Sequence, residues 1–185
     1  MRNAFRAAFL AAALVLILAP AAASAQIQVG VDIDAIFPTD DFLDGEVGFG
    51  VAGRLGYALD FGLAELVPEV QVGYVDFGAP DLEDAVDLDL VRLVAGGRLS
   101  LGAMLRPTLF AHIGWGSLNV SEDEGFFRDR TGIGEEDALT WDVGLALDLA
   151  VLPLVDVGIH AAYNGLETEE ALQWWSAGAH AAIVF

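Results

Sequence analysis

The sequence has 185 residues and is both acidic and apolar, with a formal net charge of −20 at pH 7 and 55% hydrophobic residues. The acidity argues against nucleic acid or another polyanion as a partner. The absence of cysteine excludes disulfides and thiol chemistry, and beyond Ala25 no apolar run reaches the roughly 18 residues that indicate a membrane-spanning helix.

The first 25 residues are typical of a secretory signal peptide. Arg2 and Arg6 precede an apolar run over residues 7–19, and Ala23-Ser24-Ala25 is a small-residue cleavage signal. We therefore expect residues 1–25 to be removed and residues 26–185 to form one domain.

From Gln26 onward, apolar residues recur at every second position, which is the period of a β-strand with two unlike faces. The clearest case is 139–163, where a break at Leu152-Pro153 joins two such strands in a hairpin. In chain order the period predicts eight strands, at 27–37, 47–61, 66–74, 91–101, 105–115, 139–151, 155–163 and 175–185.

The predicted connections alternate between short and long. Short turns fall near residues 60–63, 102–104 and 152–154, whereas long acidic loops fall near 38–46, 78–87, 117–137 and 165–172. This alternation of connection lengths is typical of up-and-down barrels, which have tight turns at one end and long loops at the other. The predicted fold class is all-β: an up-and-down antiparallel transmembrane β-barrel of about eight strands.

We predict that the apolar face meets lipid, although a soluble lipocalin-like barrel also alternates. The apolar face carries no charged side chain, and the other face is mostly Gly, Ala and Ser, unlike the exterior of a soluble barrel. Aromatic residues also occur at the loop end of the apolar face, which predicts an interfacial girdle. The girdle residues are Phe37, Phe49, Tyr74, Trp115, Trp141, Tyr163 and Trp175. The alternative is that strand ends simply favour aromatic residues.

The ionisable residues of the other face are predicted to form a structural network inside the barrel. Both signs come from many strands, which favours ion pairs over a catalytic or solute-binding arrangement. The network comprises Asp32, Arg54, Glu69, Arg92, Arg98, Arg106, His112, Asp142, Asp148, His160 and His180, with Asp34 and Asp156 on the same face. All three histidines face inward and suggest a metal site or a hydrolase, but hydrogen bonding is the favoured interpretation. No cofactor, metal centre or catalytic residue is predicted.

Most of the 28 acidic residues lie in the predicted loops, including runs at 81–89 and 121–124. Oxygen ligands at this density could hold Ca²⁺ or Mg²⁺, including the ions that bridge lipopolysaccharide. The spacing and turn glycine of an EF-hand are lacking, so a solvated acidic rim is the favoured interpretation.

The signal peptide, the Gly-rich strands and the final HAAIVF resemble the small eight-stranded bacterial outer-membrane barrels, the OmpA/OmpX-like outer membrane protein β-barrel domain family. The resemblance covers residues 26–185 and rests on a pattern rather than on a specific motif. It implies location in the bacterial outer membrane, with outer-membrane lipids and lipopolysaccharide as partners. It also implies that Phe185 belongs to a strand read by the outer-membrane assembly machinery. Because the sequence stops at Phe185, we expect no periplasmic peptidoglycan-binding domain.

Three classes of function remain. Eight strands leave an interior that side chains usually fill, which favours a structural or surface-interaction role in the envelope. Abundant inward glycines, among them Gly96 and Gly144, leave space for water and keep a narrow channel for ions or small solutes open. An enzyme is not expected, because no constellation of nucleophile, base and acid is evident.

Overall fold

A computed structural model of the chain describes residues 26–39, 47–77, 86–122, 134–152, 154–168 and 171–185. The predicted signal peptide, residues 1–25, and most of the four predicted acidic loops lie outside these residues and stay predictions. Among the residues described, no helix is both long enough and apolar enough to cross a membrane.

Eight antiparallel strands close into a barrel in which each strand pairs with its neighbours in the chain and the first pairs with the last. The strands are β1 Gln26–Pro38, β2 Gly48–Asp60, β3 Ala64–Asp76, β4 Val86–Leu101, β5 Leu105–Glu122, β6 Gly134–Leu152, β7 Val155–Glu167 and β8 Leu172–Val184. Closure pairs the backbone polar groups of every strand on both sides, which an apolar solvent requires. The predicted fold class is confirmed.

The tight connections all lie at one end of the barrel, which we call the turn end, and the opposite end is the loop end. Gly62 and Gly102 occupy two of these turns with φ of 89° and 111°, a left-handed conformation that side chains disfavour. The N–H of Gly62 donates to Asp60 Oδ1 at 2.6 Å, which fixes the turn between β2 and β3. The predicted short turns are therefore confirmed.

The strands on one side of the barrel are longer than predicted. β4, β5 and β6 contain 16, 18 and 19 residues, whereas each of the other strands contains 13. The prediction of a loop over 117–137 is wrong at both ends, because β5 continues to Glu122 and β6 begins at Gly134. The loops predicted at 78–87 and 165–172 are likewise wrong at 86–87, 165–167 and 172.

The sequence pattern failed there because the apolar alternation reverses its phase at the loop end. Below this level the outward positions are apolar, but above it Leu90 and Leu166 point inward and are buried while Asp89 and Glu167 point outward. A strand that leaves lipid for water needs this reversal, since its outer face then meets water and its inner face packs. A prediction that expects apolar residues at the same alternate positions throughout a strand therefore assigns these stretches to loops.

The inward apolar residues form a cluster that fills the loop end of the barrel. We call it the apolar cap; its buried members are Ile36, Val75, Phe77, Leu90, Ala138, Leu166 and Trp174. The rings of Phe77 and Trp174 meet edge to face with centroids 5.1 Å apart, and neither side chain is exposed. The cap closes the loop end of the lumen with packed side chains.

The outer face of the barrel is apolar and exposed. Val31, Val72, Leu109 and Ile159 each expose more than half of their surface, and they belong to β1, β3, β5 and β7, every second strand around the barrel. A continuous apolar belt of this extent is what the lipid-facing surface of a transmembrane barrel presents. The structure thus places the apolar face outside and the polar face inside, as the sequence predicts.

Candidate functional site in the barrel lumen

The structure places all of the predicted lumenal network residues inside the barrel. Nine of them are buried, and Arg106 and His160 are half-buried. Their contacts form a layer across the middle of the lumen, a second group toward the turn end and a pair of histidines beside them. Their functional role stays a prediction, but their geometry defines what the lumen can do.

Glu69 on β3 is the centre of the layer that crosses the lumen. Its Oε1 accepts from Arg98 Nε at 2.8 Å and lies 2.9 Å from His112 Nε2, while Oε2 accepts from Arg54 Nη1 at 3.5 Å. The side chain of Glu69 is 1% exposed. A single buried carboxylate therefore joins β3 to β2, β4 and β5.

His112 is held between two carboxylates. Its Nε2 faces Glu69, and its Nδ1 lies 2.7 Å from Asp142 Oδ1. Ionised carboxylates only accept hydrogen bonds, so both ring nitrogens must donate and the ring is the imidazolium cation. Asp142 also binds Arg92, whose Nη1 donates to Asn164 Oδ1 at 3.0 Å. The layer thus extends across the lumen to β6 and β7.

Asp32 on β1 completes this layer from the opposite wall. Its Oδ2 accepts from Gln71 Nε2 at 3.0 Å, and its Oδ1 lies 3.4 Å from Arg54 Nε and 3.9 Å from Arg98 Nη2. The guanidinium of Arg98 also lies over the ring of Phe110, 4.9 Å from its centroid. A cation over an aromatic face is attracted by the ring quadrupole, so Phe110 helps to hold Arg98 in place.

A second group of polar contacts lies toward the turn end. Arg106 donates to Asp156 Oδ2 at 2.6 Å and lies 3.5 Å from Glu65 Oε1. Thr108 Oγ1 donates to Asp148 Oδ2 at 2.5 Å. The contacts of Arg106 are more exposed than those of Glu69, since the side chains of Arg106 and Glu65 are 12% and 20% exposed.

His160 on β7 and His180 on β8 face each other. Their Nδ1 atoms are 3.1 Å apart and their ring planes are tilted by 36°. Each Nε2 faces a different carboxylate: Asp34 Oδ1 lies 2.7 Å from His160, and Asp148 Oδ1 lies 2.6 Å from His180. The sequence predicts that these side chains point inward but not that they form a pair.

Each histidine reaches one carboxylate across a glycine on the strand between them. The three rows across neighbouring strands are Glu69–Gly96–His112, His160–Gly178–Asp34 and Asp148–Gly158–His180. Residues two strands apart are about 9–10 Å apart at the backbone, so their side chains meet only if the residue between them has none. A Cβ at Gly158 would lie 2.6 Å from His180 Nε2 and 2.7 Å from Asp148 Oδ1.

The side chains leave two small cavities, one toward each end of the lumen. The cavity toward the loop end is lined by Asp34, His160 and Asn164, and the cavity toward the turn end by Glu65, Arg106 and His180. Arg98 lines both cavities. The ionic layer therefore lies between them.

The predicted girdle residues lie on the outer face at the loop end. Three of them are in ring contact: the centroids of Trp141 and Tyr163 are 5.8 Å apart, and those of Tyr163 and Trp175 are 4.9 Å apart. Phe37 lies beside Trp175 in the ladder between β1 and β8. The polar ends bond to neighbours, with Trp141 Nε1 donating to Glu167 and Tyr163 Oη donating to Gln173 Oε1.

The remaining girdle residues continue this level around the barrel. Phe49 is exposed, Trp115 is half-buried, and the hydroxyl of Tyr74 donates to the carboxylate of Asp89. The exposed terminal Phe185 extends β8, and its N–H donates to the carbonyl of Ile27 on β1 at 2.8 Å. The interfacial and assembly roles of these residues stay predictions.

Sequence reasoning missed two features of the lumen. It did not find the apolar cap, although the inward parity of Ile36, Leu90 and Trp174 was a usable signal once a change of phase was considered. It also gave no role to Phe110, which lies between Arg98 and the histidines with its ring centroid 6.2 Å from that of His160.

A closed barrel with an exposed apolar outer face and a charged interior has the architecture of the transmembrane β-barrels of outer membranes. No protein-family model matches the chain, and no curated protein matches it significantly. Among solved structures it is similar to Neisserial surface protein A (NspA), with a TM-score of 0.62 and 15% identity over 88% of this chain and 100% of that chain.

Two further solved structures have the same fold. Ail, the attachment invasion locus protein of Yersinia pestis, matches with a TM-score of 0.53 and 12% identity over 87% of this chain and 100% of that chain. The outer membrane enzyme PagL matches with a TM-score of 0.50 and 14% identity over 83% of this chain and 97% of that chain. The chain has the fold of the small eight-stranded outer-membrane barrels, as the resemblance in its sequence predicts.

Proposed function

We propose that this chain is a bacterial outer-membrane protein with a structural or surface-interaction role, and that its lumen does not conduct ions. The observation that carries this proposal is the ionic layer around Glu69. Arg54, Arg98 and His112 converge on that carboxylate and separate the two lumenal cavities. The apolar cap is a second closure at the loop end.

Opening this layer is energetically costly. Breaking a buried ion pair by removing one partner costs about 3–5 kcal/mol, and a moving ion would have to displace several such pairs together. The two cavities are the observation that favours the alternative, a narrow channel, because water in them could be joined by a rearrangement of Arg98.

The partners that we propose are outer-membrane lipids, lipopolysaccharide and the outer-membrane assembly machinery. The exposed apolar belt and the ring contacts of Trp141, Tyr163 and Trp175 support a lipid partner. Asp89 and Glu167 point outward just beyond this level, where cations that bridge lipopolysaccharide would lie. A solvated acidic rim remains the interpretation that we favour over a specific cation site in the loops.

The histidines argue against an enzyme of the histidine-dependent hydrolase type. The chain contains three histidines, and each of them lies inside the barrel with a carboxylate on its ring. A hydrolase acting on membrane lipid needs its base at the lipid-facing surface, within reach of the substrate. No histidine is available for that position.

Conductance in planar bilayers tests the proposal. We expect the refolded barrel to give no single-channel steps, and we expect steps when Glu69→Ala/Arg98→Ala is combined with Trp174→Ala, because that variant removes the centre of the layer and the largest side chain of the apolar cap. Reproducible steps from the unsubstituted protein, reduced by Ala52→Leu in the wall of the loop-end cavity, would overturn the proposal and support the channel.

A further inference from the structure

We propose that His160 and His180 form a site for one divalent transition-metal ion, such as zinc, inside the barrel. The two Nδ1 atoms lie 3.1 Å apart, and a carboxylate oxygen of Asp32 lies within 4.8 Å of the histidine ligand atoms. Imidazole nitrogen suits zinc, copper and nickel. This inference departs from the sequence-based expectation that the histidines serve only as hydrogen-bonding groups, and it does not depend on whether the lumen conducts.

The carboxylate partners of the two rings favour one tautomer. Asp34 accepts from Nε2 of His160 and Asp148 accepts from Nε2 of His180, at 2.7 and 2.6 Å. Each Nε2 therefore carries a proton, and a neutral ring then has a lone pair at Nδ1. Two lone pairs 3.1 Å apart repel each other, and either a shared proton or a metal ion bound by both nitrogens removes that repulsion.

The spacing of the nitrogens fits a shared metal ion. Two nitrogens bound to one tetrahedral zinc ion at about 2.0–2.1 Å lie roughly 3.3 Å apart, close to the 3.1 Å between the Nδ1 atoms of His160 and His180. Metal-binding histidines usually donate their other ring N–H to a carboxylate, which fixes the tautomer and orients the ring. Asp34 and Asp148 are in that position.

The charge balance of the lumen also calls for a divalent cation. The ion pairs of the described residues join seven carboxylates to four guanidinium groups and three histidines. With His112 as an imidazolium and all seven carboxylates ionised, two negative charges remain uncompensated. Protonating both His160 and His180 would place two N–H groups head to head across 3.1 Å, whereas one divalent ion supplies the same charge without that clash.

Asp32 supplies a third donor, and one of its oxygens has no hydrogen bond. Its Oδ1 is buried without a hydrogen bond, because Arg54 Nε and Arg98 Nη2 at 3.4 and 3.9 Å do not complete one. The residue is 2% exposed, and an unsatisfied buried acceptor of this kind is costly. A metal ion between the histidines gives this carboxylate a cation to bind, directly or through water.

The surroundings make the site both sheltered and reachable. The side chains of His160 and His180 are 6% and 1% exposed. His160 lines the cavity toward the loop end and His180 lines the cavity toward the turn end. Because the apolar cap fills the loop end, the turn-end cavity beside His180 is the route by which an ion would reach the pair.

Metal titration of the folded full-length barrel in detergent, stripped beforehand with a chelator, tests this proposal. We expect calorimetry to give one tightly bound Zn²⁺ per chain, and Co²⁺ to give visible absorption bands of a four-coordinate site. His160→Gln and His180→Gln should each weaken this binding by more than about 100-fold, and Asp34→Asn by about 10–100-fold. His112→Gln is the matched control and should retain the site, because His112 faces two carboxylates and no ring nitrogen.

Two results would overturn the proposal. One is a wild-type protein that takes up no Zn²⁺ or Co²⁺, which would leave the two histidines sharing a single proton. The other is uptake that the His160 and His180 substitutions do not change, which would place the ions on the acidic loops. If those variants fail to fold, the wild type still decides the matter: Co²⁺ must shift the ring NMR signals of His160 and His180 far more than those of His112.

Discussion

At the scale of single residues, Glu69 contacts more cationic side chains than any other carboxylate in the described part of the chain. Three cationic side chains from three strands converge on it, and its side chain is 1% exposed. The sequence predicted that Glu69 points inward, because alternation fixes the face. It could not predict the partners, because these depend on the register between strands and on side-chain reach.

Neutralising Glu69 leaves three buried cations without their shared counter-charge. We expect Glu69→Gln to lower the free energy of unfolding by about 3–5 kcal/mol, measured by urea titration of the barrel in lipid vesicles. Glu65→Gln on the same strand is the control and should cost less than about 1 kcal/mol, since its pair with Arg106 is partly exposed. Equal losses of unfolding free energy for the two variants would show that the contacts of Glu69 stabilise the barrel no more than a partly exposed ion pair does.

The glycine rows give a second prediction at this scale. Gly158→Ala places a methyl group against the contact between His180 and Asp148, with gaps of 2.6 and 2.7 Å. We expect a loss of about 1–3 kcal/mol in unfolding free energy from the forced displacement. Gly53→Ala is the matched control because its Cβ meets nothing within 4 Å. A neutral Gly158→Ala would mean that His180 does not reach Asp148 across this glycine.

At the scale of strands, the sequence predicts how many strands there are, their order and which face of each strand points inward, but it does not predict how long the strands are. Alternation identified all eight strands and their short turns, because a single period of two persists from the turn end to the girdle. Beyond the girdle the apolar side chains of Leu90 and Leu118 change face, so the same backbone continues with the opposite pattern. To predict the end of a strand that crosses from lipid to water, both patterns must be considered: apolar residues facing outward in lipid and apolar residues facing inward beyond it.

The phase reversal locates the edge of the lipid on β5, and charge substitutions can measure it. Leu109 and Asn119 share the outer face of this strand, Leu109 within the apolar belt and Asn119 beyond the girdle. We expect Leu109→Arg to cost about 2–4 kcal/mol and Asn119→Arg about 0–1 kcal/mol of stability in vesicles. If Leu109→Arg were as mild as Asn119→Arg, the belt would not face lipid.

At the scale of the whole molecule, three features act together: closure through β1 and β8, a charged layer across the middle and an apolar cap at the loop end. The fold could be predicted because a polar interior and an apolar exterior require polar and apolar residues to alternate in every strand. The pairing of His160 with Asp34, residues 126 positions apart, could not, because it exists only after the barrel closes. The contacts between lumenal side chains therefore depend on closure of the barrel and cannot be predicted from any one strand.

Two adjacent tryptophans can test which side of this closed wall meets lipid. Trp174 is 0% exposed inside the cap, whereas Trp175 is 53% exposed on the outer face. In variants that keep only one of the four tryptophans and replace the others with phenylalanine, we expect lipids carrying a quencher to reduce the fluorescence of Trp175 strongly and that of Trp174 weakly. Neighbours in sequence share their depth in the membrane, so only their opposite facing can separate them. Equal quenching of Trp174 and Trp175, or stronger quenching of Trp174, would contradict the assignment of the apolar face to lipid.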